Sequence, residues 1–478
     1  MLFNSIDFAI FLPIVFIIYW LLLNKNLKAQ NLFLFAVSYV FYGWWDWRFL
    51  FLLFFSSIVD YFIGIGLSNE NRPSKRKLLL AVSLTLNLGL LGFFKYYNFF
   101  LESFVEAFSF FGNSFHADRL SIILPVGISF YTFQTLSYTI DVYRRQLEPT
   151  KDVIAFLGFV SFFPQLVAGP IERASNLLPQ FYKKREFNYA HAADGMRQIL
   201  WGLFKKVVIA DNCSVYVNEI FSNYTSYSGS TLLFGAILFA FQIYGDFSGY
   251  SDIAIGTARL FGFTLMRNFA FPYFSRDMAE FWRRWHISLS TWFRDYLYFP
   301  LGGSKGNLLL KIRNTFAIFI VSGFWHGANW TFMIWGLLNA IYFLPLLLSG
   351  KNRSNLDTAA SGKVFPSLRE VSQIGFTFFL TTLAWIFFRA PSVSHALSYI
   401  ANIFSTSFFS KPQGLSVSLV LLIGLLLLAE WMQREKQHAL EIGHITRTSV
   451  RWSLYIAMTM VIFAFGNFNK TEFIYFAF

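Results

Sequence analysis

Along the 478-residue chain, apolar stretches of 15 to 32 residues alternate with short polar, mostly basic connectors. Stretches with this few charges read as membrane spans rather than as faces of soluble helices. They lie at 8–23, 31–45, 49–67, 78–101, 120–142, 153–169, 200–222, 231–262, 314–331, 332–348, 371–388, 415–432 and 452–466. The pattern predicts an all-α polytopic membrane protein with about 11–13 membrane helices. Pro, Gly and polar residues interrupt the stretches near 153–169 and 314–348, so these are expected to be broken or re-entrant, lining a cavity or packed inside protein. The stretch 8–23 has the length of a signal peptide. It lacks a basic region before it and a small-residue cleavage site after it, and is read as a first span that is retained.

The connectors suggest an orientation. Lys25 and Lys28, the group Arg72, Lys75, Arg76 and Lys77, and the pair Arg144 and Arg145 fall on one side if each early stretch crosses. That side is read as cytoplasmic, together with the basic stretch 259–313. The acidic Glu102, Glu106 and Asp118 fall on the other. The register is ambiguous between 153 and 206, where Lys183, Lys184, Arg185, Lys205 and Lys206 all ask for the same side. The hydrophilic loop 349–370 is the one linker. It divides an N-terminal block (1–348) from the C-terminal helices (371–478) of a single transmembrane domain.

Composition agrees with this pattern: 55% hydrophobic, 21% aromatic and 14% charged residues, including 63 Phe. The formal net charge of +13 would suggest nucleic acid in a soluble protein. Here the basic residues are spread over short loops, and no basic run forms a groove-sized patch, so nucleic acid is excluded as a partner. The single Cys213 excludes an internal disulfide and a thiolate cluster. Either a packed thiol or a nucleophile is compatible with its position, but no histidine lies near it in sequence. There is no phosphate-cradling P-loop, G-x-S-x-G elbow or H-E-x-x-H, so an ATP-driven pump and a serine hydrolase lack support.

Three segments carry polar chemistry in apolar surroundings. In "FQIYGDFSGYSDIAIG", Gln242, Asp246 and Asp252 interrupt a span. Asp246 and Tyr250 share a helix face, and Gly245 and Gly249 allow another backbone to approach. A hydrogen-bonded network between helices and a substrate pathway both fit. In "FWRRWHISLSTWFRDYLYFPLGG", Trp285, Leu289 and Trp292 repeat at helical spacing with Arg283, Arg284 and Arg294 on the other faces. That is the pattern of an amphipathic helix at the membrane surface, with His286 as its odd member. In "GFWHGANW", a continuous helix would place Ser322, His326, Asn329 and Trp330 on one face. Desolvation keeps a histidine in such a site neutral, and a neutral imidazole accepts a proton from a hydroxyl. Gly323 and Gly327 leave room for a substrate or a close helix. A general base, a hydrogen-bonded core histidine and a metal ligand remain open for His326. The last is weak, because no second ligand lies at suitable spacing.

Together with "MLFNSIDFAIFLPIVFIIYW", "YVFYGWWDWRFL", "LPVGISFYTFQTLSYTIDVYRR", "FFPQLVAGPIER" and "FIYFAF", these blocks resemble the membrane-bound O-acyltransferase (MBOAT) family, and within it the alginate O-acetyltransferase branch. The resemblance covers nearly the whole chain. It implies the MBOAT fold, a ring of helices around a central tunnel that joins a cytoplasmic donor side to an external acceptor side. It implies His326 as the general base for acyl transfer and His286 as the second catalytic position, with Trp285, Trp325, Asn329 and Asp295 in support. Asp246, Tyr250, Asp252, Arg284 and Arg294 are the candidate substrate-pathway residues, the two arginines facing either an anionic donor or solvent.

No bound cofactor or metal is expected; the donor is acetyl-CoA or another acyl thioester. The expected acceptor is a polysaccharide hydroxyl, reached directly or through an extracytoplasmic esterase-like acetyltransferase partner. Membrane lipid surrounds the protein in the bacterial inner membrane. D-alanyl transfer to teichoic acid by a related MBOAT protein is the nearest alternative. A polysaccharide or solute transporter would show inverted repeats with paired broken helices, which are not evident. A membrane scaffold that only recruits a secreted acetylase is a third reading; it predicts that loss of His326 is silent.

Overall fold

A computed structural model describes residues 1–110, 119–414, 416–469 and 473–474, with the side chains of 109 and 110 excluded. Asp118 and residues 475–478 of the terminal motif lie outside the described residues. All regular structure among the described residues is helical. Seven of these helices are long and apolar enough to cross a membrane: Trp47–Asn69, Pro73–Phe108, Gly229–Leu260, Leu308–His326, Trp330–Leu348, Leu368–Arg389 and Thr448–Phe465. Shorter apolar helical stretches cover Ile6–Leu22, Val153–Leu166 and Val417–Met432. The protein is a multi-pass, all-α membrane protein.

The expected stretches at 31–45, 120–142 and 200–222 are helical but respectively shifted, shortened and divided. They form Leu27–Gly43, Ile128–Tyr143, and the succession of Tyr189–Leu203, a π-helical Phe204–Ala210 and Asp211–Ser222. The chain divides into two compact units. One comprises Met1–Asn188 with Ala258–Leu265, the other Tyr189–Thr257 with Met266–Phe478.

In the first unit, the helices Leu50–Asn69, Pro73–Leu91 and Ile128–Tyr143 pack around a buried carboxylate. Asp60 accepts hydrogen bonds from Ser83 Oγ (2.5 Å), Asn87 Nδ2 (2.8 Å) and Thr139 Oγ1 (3.4 Å). A carboxylate in such a place needs these donors, because burying an unpartnered charge costs far more than one hydrogen bond returns. In Ile128–Tyr143 every residue except Ile140 and Tyr143 is buried, so this helix meets protein on all sides. The Val153–Leu166 stretch breaks at Phe162, and Pro164 opens the short second piece. This is the interruption that the sequence predicts there.

In the second unit, Leu308–His326 and Trp330–Leu348 form a tight hairpin. A Cβ on Gly323 would stand 2.3 Å from the Phe332 carbonyl oxygen, and one on Gly336 equally close to that of Phe319. Backbones this close require glycine, which is how membrane helices gain packing without a hydrophobic drive between them. The space beside Gly323 and Gly327 is therefore filled by the neighbouring helix and by the Phe332 ring.

The loop 349–370 is largely exposed, yet it is clamped at several points. The buried Arg276 guanidinium holds Asp357 (2.8 Å) and Glu280 (3.1 Å). The Arg434 guanidinium donates to the carbonyl oxygens of Ala359 (2.8 Å), Ala360 (2.7 Å) and Lys363. Trp431 Nε1 donates to Val364 O (2.8 Å). Polar composition hides this clamp, because the partners sit on segments far away in the chain.

Candidate active site

Everything expected at the site falls in the second unit, and its frame begins with Asn268. Its amide Nδ2 donates to Ser251 Oγ on the Gly229–Leu260 helix (3.1 Å). Its Oδ1 accepts from Ser288 Oγ (2.9 Å) and Ser288 N (3.3 Å). Two backbone bonds, Ala270 N to Arg284 O and Ile287 N to Asn268 O, each 2.9 Å, draw the following chain alongside. The sequence predicts one surface helix through Trp285, Leu289 and Trp292. Instead the helix Met278–Arg284 stops, and a new one begins at Ile287. The backbone at 268–270 has captured hydrogen-bonding groups that a continuous helix would use.

His286 occupies the break with φ 42 and ψ 56, the left-handed region. A non-glycine residue pays about 1–2 kcal/mol there, and such strain persists only where surrounding contacts impose it. Trp285 and His286 are each 1% exposed, not at the surface. Burial lowers the His286 imidazole to a pKa of about 3, so the ring is neutral near pH 7. It meets Phe247 edge-on at 4.6 Å and lies over Phe269 at 6.4 Å.

His326 is the last residue of Leu308–His326 and is 3% exposed. Gly327 is extended and ends the helix. Consequently Asn329 does not share a helix face with His326. It caps the next helix, its Oδ1 accepting from Thr331 N (3.0 Å) and its Nδ2 donating to Pro391 O (3.0 Å). The His326 ring is walled by Trp325 (5.0 Å), Trp335 (5.1 Å) and Phe388 (5.4 Å), all roughly edge-on. The His286 ring lies 6.4 Å from it, centroid to centroid. An aromatic chain runs behind the pair: Trp285 to Trp385 at 5.0 Å, and Trp385 to Trp335 at 5.6 Å, the latter two stacked. Trp335, Trp385 and Phe247 lack any signal in sequence beyond apolar composition.

A cavity of about 510 Å³ lies along the helix that ends in His326, and neither histidine is among its lining residues. It follows Thr315, Ile318, Phe319 and Ser322 along the Leu308–His326 helix, about 10 Å at 1.5 Å per residue. Ser322 stands one turn before His326. Trp282, Phe293 and Phe343 supply apolar walls, and Arg283, Arg294 and Arg353 supply positive charge. Arg283 also donates to Asn352 O (2.9 Å) and Asn355 O (2.6 Å), fastening the 349–370 loop along this cavity. Neither Arg283 nor the loop is a candidate in the sequence reading, since a linker gives no sign of what it covers.

The other candidates are distributed as follows. Arg294 pairs with Asp295 (2.7 Å) at an exposed position on the cavity wall. Arg284 is held by Glu280 (2.9 Å) and donates to the Ala270 and Asp357 carbonyls. Asp246 receives Lys206 Nζ (2.7 Å) and Ile474 N (2.7 Å), and Asp211 receives the same ammonium at 2.8 Å. Asp252 receives Lys205 Nζ (2.5 Å) and Gln198 Nε2 (2.7 Å). The Tyr250 ring lies 5.4 Å from Lys206 Nζ. Gly245 and Gly249 give the approach that the sequence suggests: a Cβ on either would meet a carbonyl oxygen at 2.8 Å, of Lys205 and Gly202 respectively. Lys205 and Lys206 are therefore interior counter-charges, not orientation signals in a loop. Cys213 is fully buried. Among the described residues no three His, Cys, Asp or Glu side chains come together as a metal site.

A glycine-tight hairpin that ends in a buried histidine, a second histidine facing it and an amphipathic cavity alongside make up this membrane site. Residues 145–380 match the model of the membrane-bound O-acyltransferase family. The chain is 39% identical over 409 residues to "Probable alginate O-acetylase AlgI" of Pseudomonas aeruginosa, covering 85% of this chain and 75% of that protein. It is 37% identical over 429 residues to "Peptidoglycan O-acetyltransferase" of Helicobacter pylori, covering 84% and 79%. It is 29% identical over 286 residues to "Teichoic acid D-alanyltransferase" of Streptococcus thermophilus, covering 56% and 69%. The chain belongs to the membrane-bound O-acyltransferase family, and it is an O-acyltransferase.

Proposed function

We propose that the enzyme moves an acetyl group from a cytoplasmic acyl thioester, acetyl-CoA foremost, to a hydroxyl outside the bacterial inner membrane. The observation that carries the reading is the His286–His326 pair, 6.4 Å apart, at the end of the cavity helix. His326 takes the proton from the acceptor hydroxyl while its oxygen attacks the thioester carbonyl. The tetrahedral intermediate collapses, the C–S bond breaks, and the thiol leaves with a proton. A general base in this role contributes about 10²–10⁴-fold in rate. His286, its ring centroid 6.4 Å from that of His326, is a neutral hydrogen-bonding group that steadies the developing oxyanion or the acceptor. Trp285 and Trp325 wall the pair, and Asn329 fixes the turn after His326.

The cavity suits an acyl thioester donor. Its apolar length takes an acylated arm, and Arg283, Arg294 and Arg353 oppose an anionic head. The acceptor is a polysaccharide, which agrees with the names of the alginate and peptidoglycan relatives. A separate extracytoplasmic acetyltransferase that accepts the group and passes it on is the preferred route.

The test uses proteoliposomes holding the full chain, with radiolabelled acetyl-CoA inside or outside. Label should pass to an ester product only when the donor meets the face bearing Arg283 and Arg353. Label transfer from either face alike, or preference for a D-alanyl thioester, would overturn the reading.

A further inference from the structure

In the first unit a second cavity, of about 560 Å³, lies where the apolar Ile6–Leu22 stretch ends. Phe16, Trp20, Leu21 and Phe187 form one part of its lining, and Asn24, Lys25, Lys184, Arg185 and Glu186 the other. The two parts meet as the two parts of a lipid do. Trp20 is fixed by donating Nε1 to Leu260 O (2.8 Å), and Phe187 packs on it edge-on at 5.5 Å. Leu21 is 73% exposed and Phe187 50%, so the apolar wall continues outward from the cavity.

The charged part is built around Arg185, which is 5% exposed. Its guanidinium donates to Asn31 Oδ1 (2.6 Å), Gln30 Oε1 (3.4 Å) and Gln180 O (3.3 Å). It also lies against the rings of Phe263 (4.8 Å) and Tyr19 (5.7 Å). These groups are neutral, and its buried Nε has no hydrogen-bond acceptor. A buried guanidinium ordinarily has an anion beside it; among the described residues this one has none. Lys25 and Lys184 are exposed and make no ion pair among the described residues. Three cations against Glu186 leave the lining at +2 (3 − 1).

We infer that this cavity binds the phosphate of an anionic phospholipid, the headgroup meeting Arg185, Lys25 and Lys184 and the upper chain lying on Trp20, Leu21 and Phe187. An anion without a tail makes no use of the exposed apolar wall. A zwitterionic lipid presents its own cation to a lining that is already positive. Basic residues at the membrane surface each contribute roughly fivefold to the binding of anionic lipid, about 1 kcal/mol apiece. The site is separate from the histidine pair and does not depend on the acyl-transfer reading.

The test is native mass spectrometry of the delipidated full-length protein in detergent, titrated with phosphatidylglycerol or phosphatidylcholine. A first phosphatidylglycerol should bind at least tenfold more tightly than phosphatidylcholine. In Lys25→Ala/Lys184→Ala, where both side chains are exposed and folding is not at stake, affinity for that first lipid should fall about 30-fold. Arg185→Gln should abolish the preference, with retention in gel filtration reporting its fold. Inorganic phosphate at millimolar concentration should not displace the lipid. Equal binding of the two lipids, an unchanged double-lysine variant, or displacement by free phosphate or by coenzyme A would overturn the proposal.

Discussion

Asn268 holds Ser251 with its amide nitrogen and Ser288 with its carbonyl oxygen, and so fixes His286, two residues before Ser288, in the left-handed conformation. Replacing Asn268 with Ala breaks both bonds and leaves buried polar groups without partners, each at about 1–3 kcal/mol. The Asn268→Ala enzyme is expected to unfold at lower temperature in detergent. What folded protein remains should show a reduced kcat with KM for the donor within twofold of the parent. Asn268→Asp, which keeps the acceptor oxygen toward Ser288, should recover part of the kcat. A merely structural residue would lower the amount of active enzyme without this recovery.

On the proposed reading, the arginines of the 510 Å³ cavity contact the donor in the ground state and the transition state alike. Arg283→Gln and Arg353→Gln should therefore raise KM for an acyl-CoA with little change in kcat. Around tenfold is expected for each, from a lost charge-assisted contact of about 1.5 kcal/mol. Added salt should narrow the difference between variant and parent. Arg283→Gln also releases Asn352 and Asn355 and should make the 349–370 loop more accessible to protease.

The hairpin ending in His326 depends on glycine. A Cβ on Gly327 would lie 2.1 Å from the Phe332 ring, and on Gly336 2.3 Å from the Phe319 oxygen. Gly336→Ala meets backbone that cannot swing away and should cost about 1–3 kcal/mol or more. A lower melting temperature and loss of activity are expected together. Gly375, with nothing within 4 Å of a built Cβ, is the control at which Ala should be tolerated.

Lys206 is shared by Asp211 and Asp246 in the interior. Removing one partner of a buried pair typically costs about 3–5 kcal/mol, because the remaining charge is stranded. Lys206→Met should sharply lower the amount of folded protein in the membrane. Adding Asp246→Asn to that variant should restore part of it. Equal abundance of Lys206→Met and parent would show that the triad is dispensable.

The repeated apolar stretches made the helical class readable, as did the breaks near 162 and 327, where Pro, Gly and polar residues interrupt long apolar runs. The topology near 200 was not, because Lys205 and Lys206 count as loop charges in a linear scan and find their carboxylates only across helices. His326 stood out by being ionisable in apolar surroundings, and His286 by resemblance to a family. Their approach to 6.4 Å was not legible, since it depends on Asn268 breaking a helix that the Trp285–Leu289–Trp292 spacing argues should continue. The cavity arginine Arg283 and the loop it fastens were missed for the same reason. Their meaning lies in contacts between distant segments.

The central claim, that His326 takes the acceptor proton, is tested most directly by measuring acetyl transfer by purified His326→Ala with and without added imidazole. The account predicts a loss of about 10²–10⁴-fold at unchanged thermal stability, with imidazole restoring part of the rate. An enzyme that keeps parental activity without His326 would contradict it.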